Sequence, residues 1–179
     1  MTTLFLTLHV LAAIVAVGPV TVAASMFPPA WRRALRAPED PEARSALGTL
    51  HRICRVYATV GIAVPVFGFA TASGLGVLGS AWLIASVLLT AAAAALLALV
   101  ILPAQAGALA ALNAPPAPDA PPAPAAPPTP AAPSAPAVPS AAPAPTGAAR
   151  LAMPTGVFNL LWATVTVLMI IRPGSTTGV

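Results

Sequence analysis

Residues 4–27 carry no charged side chain, and three more apolar blocks follow at 56–73, 81–102 and 156–171. At about 1.5 Å per helical residue the first block reaches roughly 36 Å, enough to cross a hydrocarbon core about 30 Å thick with some tilt. Continuous apolar blocks of this kind, in place of a half-buried periodic pattern, are the mark of membrane-spanning helices. Only 7% of the 179 residues are charged, against roughly 25% in soluble domains, so a soluble fold would lack an adequate polar surface. The sequence therefore predicts an all-α membrane protein: a four-transmembrane-helix bundle with a disordered Ala/Pro-rich loop.

The organisation follows from the punctuation. Residues 1–113 hold transmembrane helices one to three, with an amphipathic cytoplasmic lead-in at 41–55. Residues 114–147 form an Ala/Pro-rich linker, and 148–179 hold the fourth transmembrane helix and a short tail. Proline lacks a backbone donor, so Pro19 is expected to kink the first span, Pro28-Pro29 to end it and Pro103 to close the third. Gly74, Gly76 and Gly79 mark a turn between the second and third spans. The fourth span, at roughly 24 Å, is short and is expected to lean on Thr155 and Arg172 at its ends. In the linker Asp119 is the only charge, and its proline density predicts an extended, polyproline-like segment. Such a segment is either a tolerated insertion or a docking site. In the lead-in, Leu47, Leu50, Cys54 and Tyr57 share one helical face, while Arg44, His51, Arg52 and Arg55 fall largely on the other.

Orientation comes from the arginines, since the chain has no lysine. Arg32, Arg33, Arg36, Arg44, Arg52 and Arg55 lie between the first two spans and are the topology-determining residues. Basic residues mark the cytoplasmic side. The arginine-rich loop, the Ala/Pro linker and Arg150 then lie inside, and both termini lie outside, in a multi-pass protein of the bacterial plasma (inner) membrane. Trp31 and Tyr57 at the inner boundary and Trp82 at the outer one agree as interfacial anchors. A competing reading makes the first block a cleaved signal peptide, with Val22-Ala23-Ala24 before Ser25 as the cleavage site. No basic residue precedes the block, and cleavage would export the arginine loop. The basic clusters sit at membrane edges without aromatic interleaving, so they are no nucleic-acid footprint. The expected partners are the lipid bilayer and a second copy or another membrane protein.

Few side chains could carry chemistry. The single cysteine, Cys54, excludes an intrachain disulfide and a multi-cysteine metal site. All four acids lie in loops, which argues against a proton pump or a cation-coupled transporter. No Ser/His/Asp set, no carboxylate pair within a span, no phosphate loop and no redox cysteine pair is present, so no enzyme is expected. His9, inside the outer end of the first span, is the one candidate cofactor ligand, for haem or copper. Met169, at similar depth, could complete a soft copper site. Bonding of a neutral His9 to a hydroxyl or carbonyl of a neighbouring helix is the structural alternative, with Thr71, Ser73, Ser86 and Thr166 in reach. His51 reads as a solvated interfacial residue at the opposite face. Asn159 reads as a helix-packing polar residue in the fourth span.

The opening Leu8-His9-Val10-Leu11-Ala12-Ala13-Ile14 with Gly18, and the closing Gly156-Val157-Phe158-Asn159-Leu160-Leu161-Trp162 with Arg172-Pro173-Gly174-Ser175, resemble a family of small four-helix bacterial integral membrane proteins, domain of unknown function 2269. That resemblance covers the four spans and excludes the linker; it implies a fold class and no activity. A more distant likeness, to copper-resistance D-type and haem-pathway membrane proteins, rests on the histidine near the start of the first helix. The chain departs from their pattern at Ala16-Val17-Gly18-Pro19. The leading expectation is a non-enzymatic structural or accessory component of the membrane. A haem- or copper-binding protein using His9, and a small transporter or channel subunit, are the alternatives.

Overall fold

A computed structural model of the chain describes residues 1–114 and 146–173. Every regular element among them is helical: α1 (Thr2–Arg36), α2 (Pro41–Val60), α3 (Ala63–Leu75), α4 (Ala81–Leu96), a π-helical turn (Leu97–Ile101), α5 (Leu102–Asn113) and α6 (Thr146–Ile171). Four helical stretches are long and apolar enough to cross a membrane: Thr2–Arg36, Pro41–Leu75, Ala81–Asn113 and Arg150–Ile171. The Ala/Pro-rich loop expected at 114–147 lies outside the described residues, apart from its two ends.

Three prolines act differently from their sequence-based expectation. Pro28-Pro29 does not end the first helix, which continues to Arg36. Each proline removes one hydrogen bond, and packing of the turns that follow offsets the loss. Burial of Phe27, Pro28 and Ala34 holds the extra turns in place. Pro103 does not close the third span; α5 carries it on to Asn113. The π turn before it widens the helix, with the Leu102 amide reaching back to the Leu97 carbonyl, and so relieves the clash a proline ring makes one turn upstream. The fourth helix is also longer than expected, because Pro154 sits inside α6 and does not precede it. Thr155 is consequently buried and donates to the Leu151 carbonyl (2.9 Å) instead of reaching for the interface.

Other breaks follow ordinary local rules. Pro65 cannot donate to the Gly61 carbonyl, which Val64 takes instead at 3.1 Å, and the second span bends there between α2 and α3. Gly76 ends α3 in the left-handed region (φ 67°), and the Val77 amide bonds back to Ala72 at 3.1 Å. Between α1 and α2, Asp40 caps α2: its Oδ1 accepts from the amides of Glu42 (2.9 Å) and Ala43 (3.3 Å). Desolvation pushes the Asp40 carboxyl up. The two amides and the Arg33 guanidinium at 3.3 Å outweigh it and hold the group below its ordinary 3.8.

Packing runs from the arginine-rich end to the Gly76 end in three clusters. Phe27, Ala34, Ala43, Leu47, Ala108 and Leu151 close the first end. Val20, Ala24, Cys54, Leu97, Ile101 and Phe158 are among the residues that fill the middle. Ala72, Trp82 and Leu83, with Val77 and Met169 against them, cap the far end. Trp82, read from the sequence as an anchor at the outer boundary, is a buried packing residue of this cluster. Large aliphatic side chains point outward, among them Leu99 (74% exposed), Leu160 (67%) and Ile170 (75%), while Gln105 and Ser86 are fully buried. This inverted polarity belongs to a protein whose surface faces lipid.

Candidate functional site

The helices close on one another unevenly. α3 packs on α1, α1 on α6 and α6 on α4, whereas α3 and α4 meet chiefly at the capping cluster near their connecting turn. A cavity of about 840 Å³ is left among these four helices, between the middle and far clusters. Its wall is overwhelmingly apolar. His9 from α1, Thr71 from α3, Ser86 and Thr90 from α4, and Trp162 and Thr166 from α6 supply the polar groups, with Arg172 at the rim.

His9 is held by its neighbours. Its Nδ1 lies 2.8 Å from the Val64 carbonyl, and the ring lies against Gly68, where an added Cβ would come within 2.9 Å of Cε1. A carbonyl only accepts, so Nδ1 carries a proton, and whenever the ring is neutral Nε2 keeps its lone pair. Nε2 makes no hydrogen bond among the described residues. Met169 lines the same cavity and packs on the capping cluster. No group of three or more His, Cys, Asp or Glu able to hold a metal occurs among the described residues. Arg172 leaves α6 with φ 47° and lays its guanidinium over the Trp82 ring, 5.7 Å from the centroid.

At the arginine-rich end a second polar group forms. His51 Nδ1 lies 3.2 Å from Gln105 Oε1, and Gln105 Nε2 points at Cys54 Sγ, 3.6 Å away. His51 is therefore a half-buried partner of α5 and not a solvated interfacial side chain. His51 and Val64, the carbonyl that holds His9, are separated by about 20 Å of helix; the two histidines belong to different sites. Asn159 reaches from α6 to α1, donating from Nδ2 to Ser25 Oγ at 3.1 Å. Its Oδ1 and the indole Nε1 of Trp162 are buried without partners. Trp162 also meets Phe158 edge to face at 6.4 Å. The arginines Arg32, Arg33, Arg36, Arg44, Arg52 and Arg55 are all exposed around this end.

Comparison with protein-family models, with curated proteins and with solved structures finds no match. The site thus rests on its own geometry.

Sequence reasoning missed two participants. Gln105 lay beyond Pro103, where the third span was expected to have ended. Its signal was available: it is the one amide side chain in a long run of Ala and Leu. Gly68 is the other, and nothing in the sequence sets it apart from the chain's other glycines. Only the tertiary contact shows that it makes room for an imidazole.

Proposed function

We propose that this chain is a non-enzymatic accessory protein of the bacterial inner membrane that holds a hydrophobic small molecule in the cavity among α1, α3, α4 and α6. One observation carries the reading: an apolar cavity of about 840 Å³, within the roughly 300–1,000 Å³ range of small-molecule sites. Away from their connecting turn α3 and α4 make little contact, and the exposed Phe69 of α3 and Val87 of α4 both line the cavity. A ligand would enter sideways from the lipid and not from water. Quenching by 1-bromododecane in reconstituted bilayers tests this, because Trp82 and Trp162 line the cavity while Trp31 packs at the other end. Saturable quenching in a Trp31→Phe variant is expected. Quenching that only rises linearly with probe, as it does for free partitioning, would overturn the reading.

The arginine bias supports a cytoplasmic arginine-rich end, with the 76–80 turn and both termini outside. Thiol labelling in intact cells tests it on a Cys54→Ala background. Gly79→Cys, where the added side chain meets nothing within 4 Å, should label from outside, and Ala120→Cys should not. The reverse pattern would invert the topology.

A second reading has its own observation. Metal-bound imidazoles commonly donate their other N–H to a backbone carbonyl, which is what His9 does toward Val64. Haem or copper on Nε2, with Met169 on the same wall, remains the alternative. A Soret band or stoichiometric copper in purified protein, abolished by His9→Ala and kept by His51→Ala, would establish it.

A further inference from the structure

We propose that the cavity selects a neutral lipid bearing a hydroxyl group, whose O–H donates to Nε2 of His9. The inference rests on the cavity-binding reading above and adds the chemistry of the ligand. It comes from counting donors and acceptors on the wall.

The proton of His9 is committed to the Val64 carbonyl, so Nε2 can only accept. The hydroxyls nearby are committed in the same way. Thr71 donates to the Phe67 carbonyl (2.8 Å), Ser86 to Trp82 (2.8 Å) and Thr166 to Trp162 (2.9 Å), each one turn back in its own helix. Each of these oxygens is left with lone pairs alone. Acceptors therefore border the cavity on α1, α3 and α6, while the Ser86 oxygen of α4 is fully buried. Against them stand two indole donors, Trp162, buried without a partner, and Trp82, which makes no side-chain hydrogen bond among the described residues. Thr90, whose hydroxyl makes no hydrogen bond among the described residues, can turn either way. Arg172 sits at the rim with its guanidinium turned onto Trp82.

A ligand that only accepts, such as an ether, ketone or ester, can meet the indoles but leaves Nε2 of His9 unpaired. A ligand that donates finds Nε2 of His9 on α1, with the Thr71 and Thr166 oxygens on α3 and α6 as further acceptors. A charged head would be stripped of water among apolar side chains with no carboxylate beside it. A hydrocarbon body with a neutral hydroxyl meets both conditions. The hydroxyl could sit on an aromatic ring, which Trp82, Trp162 and Phe69 could flank, or on an aliphatic chain.

The test compares decylhydroquinone with its dimethyl ether, and decanol with its methyl ether, by tryptophan fluorescence titration of the detergent-solubilised full chain. At least one hydroxyl compound is expected to bind roughly 3- to 10-fold tighter than its ether, as one net hydrogen bond implies. Which pair shows the larger ratio tells the phenolic from the aliphatic source. His9→Leu should bring the ratio close to one while both compounds still bind. Equal affinities for hydroxyl and ether in wild-type protein would overturn the donor proposal and leave the cavity reading standing. Saturable binding by none of the four would overturn both. If His9→Leu does not fold, the wild-type ratios decide alone.

Discussion

Gly68 shows how one missing side chain can hold another in place. A methyl group there would stand 2.9 Å from His9 Cε1, so Gly68→Ala should push the imidazole off the Val64 carbonyl. Overpacking of this kind typically costs about 1–3 kcal/mol. In thermal unfolding in detergent, the substitution should destabilise wild-type protein clearly and a His9→Ala background hardly at all. Equal costs in both backgrounds would show that the two residues do not act on each other. Gln105 makes a comparable case at the other end. Its amide satisfies both His51 and Cys54 while fully buried. Gln105→Ala removes packing and leaves the imidazole unpaired, for a loss of about 2–4 kcal/mol. The buried Cys54 thiol should resist maleimide in the native protein and become reactive in that variant. Unchanged labelling would mean that the amide does not shield the sulfur.

At the scale of the element, the third span depends on a compensation between Pro103 and the π turn at Leu97–Ile101. A π turn is in effect one residue inserted into an α-helix. Deleting Ala98, which is exposed, should restore α-helical register and leave Gln105 on its buried face. It would also bring back the proline clash, at roughly 3 kcal/mol. Deletion of Ala98 together with Pro103→Ala should therefore be more stable than deletion alone. The opposite ranking would show that the π turn has another cause. The α2 cap gives a pH dependence of definite sign. The folded Asp40 carboxyl ionises below its ordinary 3.8, so its contribution is present above that value. It is lost as pH falls through the lower folded value. Amide exchange at Glu42 and Ala43 should quicken over that window, and Asp40→Asn should abolish the pH dependence while keeping an acceptor at the cap.

For the whole molecule, the decisive property is the outward face. Leu99 is 74% exposed near the middle of Ala81–Asn113. Leu99→Arg should oppose insertion of that span by about 2.5–3.5 kcal/mol, read in a translocon insertion assay. Insertion at the wild-type level would mean that this face meets protein or water and not lipid.

The sequence alone determined that the chain is helical and has four apolar stretches of spanning length. Both properties depend on runs of neighbouring residues, and water's exclusion from a bilayer forces such runs to satisfy their own backbone. Local chemistry also made legible the turn at Gly76 and the amphipathic face of α2 with Leu47 and Cys54 inward. What prolines do was not legible at Pro28, Pro29 or Pro103, because a ring that lacks a donor breaks a helix only if packing and register fail to compensate. The cavity was not legible either. It exists because α3 and α4 lean on different partners, α1 and α6, and no local pattern records which helices fail to touch. His9 could be singled out as an ionisable residue in a span. The Val64 carbonyl that fixes its proton, and with it the acceptor face offered to a ligand, lies 55 residues away, and only the tertiary structure brings the two together.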